Sequence, residues 1–278
     1  MADRAAPGLV AAAIAPHTPF LIDEGVTPPR LAGVLAGCRE LGQLIGDLEP
    51  DVLVINSSHW NAPFLWYVAT AARHRGRCIS DKDNHPILAR DYDYPGDPEF
   101  ARALVAALTA GGLPASEATP GPAWDYGLLV PARFIDSDGR LPIVPLSSCL
   151  MATLDECRKV GRLLGDTAAR SGRRVAFIAS TAFAHRLETN PETAPPPEHL
   201  AADLAFIGLL REGRLAAARE RLPAYAAQVH AELAGRTLAT FLGCFDESHT
   251  PLLAHALGDY GHSSGSGNFT LAVTPQAA

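Results

Sequence analysis

Two histidines stand just beyond apolar runs of the sequence, where their side chains could share a metal ion. His17 follows residues 8–14, and His59 follows residues 52–55 after a short polar stretch. Both runs predict strands that are buried on two faces. The carboxyl ends of neighbouring parallel strands converge on one crevice, so two imidazoles could meet there. Ordinary polar side chains that are hydrogen-bonded at strand ends fit the same pattern, and the residues alone leave both interpretations open.

A third histidine occupies an equivalent position. His185 comes shortly after the apolar run 174–179. It could be a further metal ligand or a general acid and base, because the pKa range of imidazole suits proton transfer near neutral pH. A helix-capping or core histidine is the alternative interpretation.

Three further segments give weaker signals. Residues 246–249 offer a carboxylate, Glu247, and an imidazole, His249, two positions apart. They could form one edge of a metal site, although the spacing alone favours a solvated helix start, where acidic residues are common. Tyr126 lies between proline-rich loops and an apolar run, where an aromatic residue more often packs than lines a pocket. The glycines at 265 and 267 lack the spacing of a dinucleotide-binding turn.

Strands alternate with helices along the chain. Apolar runs predict strands at residues 8–14, 52–55, 64–70, 141–146, 174–179 and 268–273. Helical periodicity covers residues 31–45, 98–108, 153–164 and most of 195–242, and Thr153 and Glu156 have the spacing of a capping box. Residues 73–97 and 260–267 are expected to be loops. The pattern predicts an α/β fold: a single-domain sandwich over residues 1–278, with a largely parallel central sheet flanked by helices.

Composition excludes several classes of protein. The 278 residues carry a net charge of −7 without a basic block, which argues against nucleic-acid binding. Five scattered cysteines argue against a disulfide framework or a structural zinc site and favour a reducing cytoplasm. No apolar run is long enough to span a membrane.

Taken together, these segments resemble the class III extradiol ring-cleavage dioxygenases of the LigB superfamily. The resemblance extends over nearly the whole chain and depends on the order and spacing of short motifs. These motifs are Ala-Pro-His-x-Pro at 15–19, Ser-His-Trp at 58–60, Asp-Tyr-Gly at 125–127, residues 180–185, and Tyr-Gly-x-x-x-Gly-x-Gly-Asn at 260–268.

The resemblance implies a non-heme iron(II) enzyme that opens the ring of a catechol or 2-aminophenol with O2. It makes His17 and His59 the imidazole ligands of the metal and His185 the active-site acid and base. Glu247 is the expected third ligand, because two histidines and one carboxylate suit iron(II) oxygen chemistry, with His249 as the alternative. Manganese(II) accepts the same ligand set.

Tyr126 marks a departure from many catechol-cleaving relatives. Those relatives carry Asp-His-Gly where this chain has Asp-Tyr-Gly at residues 125–127. The tyrosine form resembles the branch that cleaves 2-aminophenol. Tyr126 is therefore a candidate substrate-binding residue that could hydrogen-bond a hydroxyl or amine of the ring.

The expected partners are a small aromatic substrate, O2, and either further copies of the chain or a related subunit. Three other functions stay open. The chain could be a metal-free partner subunit of such an enzyme, although the presence of His17, His59, Glu247 and His185 together argues against it. It could also be a zinc-dependent hydrolase on the same fold, since zinc uses a similar ligand set, or a binding protein without catalytic activity.

Overall fold

A mixed eight-stranded sheet runs through the centre of the molecule. The computed structural model describes residues 6–78, 90–245 and 251–276. The strands of this described part are β1 (Gly8–Ala15), β2 (Val52–Ala62), β3 (Trp66–Ala69), β4 (Arg73–Arg77), β5 (Asp91–Pro95), β6 (Ala115–Ala118), β7 (Ile143–Cys149), β8 (Arg174–Ser180), β9 (Leu252–Ser263) and β10 (Ser266–Pro275). The order in the large sheet is β6-β3-β7-β2-β8-β1-β10-β9.

The four central strands are parallel, and the antiparallel pairs lie towards the edges. Strands β7, β2, β8 and β1 pair in parallel, whereas β10 and β9 add to β1 as an antiparallel hairpin. Continuous apolar sequence is what a strand with both faces covered requires. The predicted α/β sandwich with a largely parallel central sheet is confirmed.

Helices cover both faces of the sheet. They are α1 (Ala32–Asp47), α2 (Pro98–Ala110), α3 (Tyr126–Ile135), α4 (Leu154–Ser171), α5 (Pro197–Arg211), α6 (Leu215–Val229) and α7 (Arg236–Gly243). Alternate residues of β1 point to opposite faces, so Ala12 and Ile14 join a core with α2 and α4 to α7. Ala11 and Ala13 join a second core with α1 and α3. The two cores hold the central strands rigidly between them.

The capping box that the sequence predicts is present at the start of α4. The Thr153 hydroxyl accepts a hydrogen bond from the Glu156 backbone N–H at 3.2 Å, and the Glu156 carboxylate accepts one from the Thr153 N–H at 2.8 Å. Both bonds satisfy backbone donors that have no partner inside the helix. These two hydrogen bonds fix the start of α4, which packs against α7.

The segment 73–97, expected to be a loop, contains strands β4 and β5. These strands pair antiparallel as a separate two-stranded sheet. The buried rings of Tyr92 and Tyr94 stack on Trp124 with centroid distances of 4.8 and 5.2 Å. Aspartates at the alternate positions of β5 mask a period-two pattern of buried aromatic residues, which explains why a polar loop was predicted.

The glycine-rich segment 260–267 was also expected to be a loop, but most of it is strand. Strand β9 continues to Ser263, and β10 begins at Ser266. The turn between them places Ser264 and Gly265 at positive φ, a conformation that glycine adopts without steric cost.

All five cysteines are buried free thiols. In the described part of the chain, no helix combines the length and apolar character that crossing a membrane requires.

Candidate metal centre

Three histidines meet at the carboxyl ends of neighbouring parallel strands. His17 lies just beyond β1, His59 lies in the second half of β2, and His185 lies beyond β8, which separates β1 from β2 in the sheet. The imidazole centroids of His17 and His59 are 4.6 Å apart. The topology therefore brings together three side chains that are widely separated in sequence, at the edge where ligands bind in α/β sheets.

A buried carboxylate, Glu232, stands at the centre of this group. Its Oε1 atom lies 3.5 Å from Nε2 of His17, 3.7 Å from Nε2 of His59 and 3.7 Å from Nε2 of His185. The side chain of Glu232 is 4% exposed. Three imidazole nitrogens thus face one carboxylate oxygen in an environment that is largely shielded from water.

Three of these residues have the spacing of ligands to a single ion. Within the described residues, one ligand atom each from His17, His59 and Glu232 forms a set whose members all lie within 4.8 Å of one another, and His185 is outside this set. Separations of 3.5 and 3.7 Å exceed ordinary hydrogen bonds. Two ligands at right angles with bonds of about 2.1 Å stand about 3 Å apart, so a small contraction would allow all three to bind one cation.

The hydrogen bonds of His17 leave its Nε2 free to be a ligand. Nδ1 of His17 lies 3.0 Å from Oγ of Ser180, and the Ser180 hydroxyl donates its proton to the carbonyl of Gly127 at 2.5 Å. The serine oxygen can then only accept from the imidazole, so Nδ1 of His17 carries the proton. In the neutral imidazole, the lone pair is consequently on Nε2, which faces Glu232.

His59 is oriented in the same way by Asp125. Nδ1 of His59 lies 2.5 Å from Oδ2 of Asp125. An ionised carboxylate only accepts hydrogen bonds, so Nδ1 donates and the lone pair is on Nε2. The other oxygen of Asp125 accepts from the N–H of Gly127 at 2.9 Å and thereby caps α3. Such carboxylate–histidine pairs are the usual outer partners of metal-binding imidazoles.

Glu232 is itself held by three donors. The Ser58 hydroxyl donates to Oε1 at 2.7 Å, while the Ala182 N–H and the Thr181 hydroxyl donate to Oε2 at 2.6 and 3.2 Å. Burial acts to raise the pKa of the Glu232 carboxyl, but the surrounding imidazoles in their protonated form, His17 first among them, bring this pKa well below its ordinary value. The side chain is therefore an ionised carboxylate whose Oε1 faces the three histidines.

The connection between α6 and α7 delivers Glu232 through an unusual backbone. His230, Leu233 and Ala234 have φ values of 52°, 47° and 53°, and Gly235 follows at 79°. Left-handed backbone costs about 1–2 kcal/mol at a non-glycine residue. Strain of this kind persists where the surrounding structure enforces it, and it is concentrated at functional sites. Here it turns one carboxylate inward between two packed helices.

The sequence analysis did not identify Glu232. It assigned most of residues 195–242 to helix, and in that interpretation a single glutamate is an ordinary surface residue. The available signal was a carboxylate inside the otherwise apolar stretch 231–234. This stretch is followed directly by a glycine that could end a helix. The expected third ligand, Glu247, and its alternative, His249, both lie outside the described residues, so their placement is not part of this geometry.

A cavity of about 110 Å³ opens over the histidines. Cavities of roughly 150 Å³ accommodate benzene, so this space is somewhat smaller than one that encloses an aromatic ring. The residues that line it combine imidazoles, hydroxyls and apolar groups: His17, Thr18, Pro19, Phe20, His59, Tyr126, Ala182, His185, Leu187, Ser263, Ser264, Ser266 and Asn268. The ring of Tyr126, at the start of α3, lies 4.6 Å from that of His59, which places this predicted residue in the cavity wall.

A larger cavity of about 500 Å³ lies along α3, β5 and residues 21–24. Its described lining contains aspartates, arginines and tyrosines but no histidine. The smaller cavity contains the histidines and is therefore the candidate reaction site.

Replacing Asp125 with asparagine should weaken metal binding by about 10–100-fold, the usual effect of losing an outer partner of a metal ligand. Asparagine keeps an oxygen to cap α3 but removes the negative charge that fixes the His59 imidazole. Titration of the purified protein with iron(II) under anaerobic conditions measures the change. Asp97→Asn is the control, because Asp97 also accepts a backbone N–H at the start of a helix, and its described ion pair is with Arg173 and not with a histidine. Equal affinities for the Asp125 and Asp97 variants would contradict the proposed role.

The family model described as the catalytic LigB subunit of aromatic ring-opening dioxygenase matches residues 11–270 of the chain. The 3,4-dihydroxyphenylacetate 2,3-dioxygenase of Escherichia coli is 24% identical, covering 72% of this chain and 75% of its own length. The 2-aminophenol 1,6-dioxygenase beta subunit of a Pseudomonas species is 26% identical, covering 94% and 92%.

A crystal structure of an uncharacterized protein from Escherichia coli K12 has a similar fold. It superposes with a TM-score of 0.66 at 17% identity, covering 95% of this chain and 99% of the other. At that identity the likeness concerns the architecture alone.

Proposed function

Because the chain belongs to the LigB family of aromatic ring-opening dioxygenases, we propose that it is an iron(II)-dependent extradiol enzyme. Its substrate would be a catechol or a 2-aminophenol, opened next to the two ortho heteroatoms. The observation that carries this proposal is the convergence of His17, His59 and Glu232 beneath a small cavity. The enzyme is then an oxidoreductase that incorporates both atoms of O2 into one donor.

The three proposed ligands fit iron(II). Two neutral imidazoles and one carboxylate on one side of the ion form the facial set that non-heme iron oxygenases use, leaving further positions open. Iron(II) bound there would chelate the ortho heteroatoms of the ring and supply the redox chemistry that lets O2 react with it. We propose Glu232 as the third ligand in place of Glu247, because its carboxylate is buried, ionised and aimed at both imidazoles. Manganese(II) would fit the same donors.

His185 is placed to move a proton. Its Nε2 is 3.7 Å from the Glu232 carboxylate, its side chain is 24% exposed, and it lines the cavity without belonging to the ligand set. We propose that it accepts a proton from the hydroxyl or amine of the bound ring and returns one as the ring opens. General acid and base groups of this kind contribute about 10²–10⁴-fold in rate.

Tyr126 would help to orient the ring. It is 8% exposed and lines the cavity. Its ring centroid lies 4.6 Å from that of His59 and 6.0 Å from that of His17. Its hydroxyl could hydrogen-bond a substrate hydroxyl or amine. The resemblance of the Asp-Tyr-Gly motif to the 2-aminophenol branch, and the name of the Pseudomonas relative, favour 2-aminophenols over catechols.

Measurement of oxygen uptake tests the function. The protein should be loaded with iron(II) anaerobically and then mixed with aerated catechol or 2-aminophenol, and we expect one O2 to be consumed for each ring opened. Zinc-loaded protein is the matched control and should consume none, because zinc has no redox chemistry. Stoichiometric iron without uptake on either substrate type would contradict the dioxygenase. A chain that binds no divalent metal would instead be a metal-free partner subunit.

Assembly and location complete the proposal. The Pseudomonas relative is a beta subunit by name, so we propose that this chain forms an oligomer with itself or with a related subunit. Five buried free thiols suit a reducing cytoplasm.

A further inference from the structure

Asp203, on α5, is a fully buried carboxylate outside the proposed metal centre. It is 0% exposed and accepts three hydrogen bonds from three different parts of the chain. The Tyr225 hydroxyl on α6 donates to Oδ1 at 2.7 Å. The Tyr260 hydroxyl on β9 and the Ala184 backbone N–H donate to Oδ2 at 2.7 and 3.2 Å. One carboxyl group therefore joins two elements to the segment that follows β8.

Burying a carboxylate is unfavourable unless its oxygens are well satisfied. Burial raises the pKa of Asp203, while the bonds from Tyr260, Tyr225 and Ala184 act in the opposite direction. Burial and the nearby carboxylate also raise the pKa of both phenols, which keeps their protons available for donation. Replacing buried charged groups with apolar residues is often neutral or stabilising in proteins, so filling space does not by itself explain the network.

Gly267 makes room for this network. A Cβ atom at position 267 would lie 2.1 Å from the Tyr260 hydroxyl and 2.2 Å from Oδ2 of Asp203. Any side chain would displace both groups. The requirement accounts for the pairing of Tyr260 with Gly267 in the glycine-rich motif, which the metal centre alone leaves unexplained.

The network ends one residue before His185. Asp203 binds the N–H of Ala184, and the N–H of Gly267 donates to the carbonyl of Ala184 at 2.8 Å. The next residue, His185, forms an antiparallel bridge with Ser266. The two peptide groups that flank Ala184 are therefore both held by hydrogen bonds. This restricts where the His185 imidazole can point.

We propose that Asp203 and Tyr260 are positioning residues for His185. They hold the backbone on which the imidazole is carried, so that Nε2 faces the cavity next to Glu232. They touch neither the proposed ligands nor the cavity. This inference rests on the acid and base role proposed for His185.

A double-mutant cycle separates positioning from general stability. Tyr260→Phe removes one donor to Oδ2 and should lower kcat of the iron-loaded protein by about 10–100-fold, the scale expected when a catalytic group is displaced by about 1 Å. KM and iron stoichiometry should stay near their wild-type values. In a His185→Gln background the same change should lower kcat no further, because residues that act through one another are not additive.

Two comparisons keep the test decisive. Tyr225→Phe removes the same hydroxyl from Oδ1, the oxygen that does not contact Ala184, and should cause a smaller loss of kcat. If Tyr260→Phe does not fold, Asp203→Asn takes its place in the same cycle. Equal and additive losses in both backgrounds would overturn the positioning role alone. A His185→Gln variant with wild-type kcat would overturn the role of His185 itself, and this inference with it.

Discussion

Replacing Glu232 with glutamine should remove stoichiometric iron(II) from the protein and lower oxygen uptake by more than about 100-fold. Even outer partners of metal ligands cost about 10–100-fold in affinity or activity, and Glu232 is proposed as a direct ligand. Glutamine has nearly the same shape as glutamate. Whether the fold tolerates it depends on the hydrogen bonds that Ser58 and Ala182 donate to this side chain. Iron content after anaerobic loading and desalting, together with the initial rate of oxygen uptake, gives the result.

Glu247→Gln provides the matched control for that experiment. The family resemblance assigned the carboxylate ligand to Glu247, whereas Glu232 is the carboxylate that groups with His17 and His59 among the described residues. If Glu232 is the ligand, the Glu247 variant should retain iron and activity near the wild-type level. The opposite pattern, with iron lost from the Glu247 variant and kept by the Glu232 variant, would refute the proposed ligand set.

His185→Gln should lower kcat by about 10²–10⁴-fold while leaving iron bound. Glutamine fills similar space but cannot accept and return a proton at neutral pH. The Nε2 atom of His185 is near Glu232 but outside the ligand set, so metal affinity should change little. Steady-state oxygen uptake and iron analysis on the same preparation measure the two effects separately.

His255→Gln serves as the comparison for this second prediction. His255 lies on β9 and bonds to Thr274, away from the cavity, so the variant should keep wild-type kcat. Loss of iron together with activity in the His185 variant would make that imidazole a ligand rather than an acid and base. A His185 variant with full activity and full iron content would show that another group transfers the proton.

The sheet could be predicted from sequence because its central strands are continuous apolar runs. Such runs, as in β1 and β8, have no period to misjudge and are bounded by polar or proline-rich segments. Strand β5 was missed for the opposite reason, because its aspartates dominate its local composition. Strand β9 was missed because histidines, an aspartate and glycines interrupt its apolar residues. Tertiary pairing, with β4 and β10 respectively, decides both cases.

The histidines could be predicted because each follows a recognisable strand. The placement of His17 and His59 depends only on the rule that parallel strands converge at their carboxyl ends. Glu232 follows no strand. It reaches the site through left-handed residues such as Leu233 and Ala234, a backbone that composition does not reveal. The position of Glu232 beside the histidines is therefore visible only in the folded chain.

The outer partners of the site were also beyond the sequence. Ser180 and Asp125 were visible as polar residues, but their hydrogen bonds to His17 and His59 join positions 163 and 66 residues apart. These contacts decide which imidazole nitrogen carries the proton and which faces the proposed metal. They orient two histidines at strand ends as a preorganised pair of proposed ligands.

Anomalous diffraction from crystals loaded anaerobically with iron(II) tests the central proposal most directly. We predict one strong peak at about 2.0–2.2 Å from Nε2 of His17, Nε2 of His59 and Oε1 of Glu232, the usual range for nitrogen and oxygen ligands. A peak bound by other residues, or one that leaves Glu232 beyond bonding distance, would contradict the proposed metal centre.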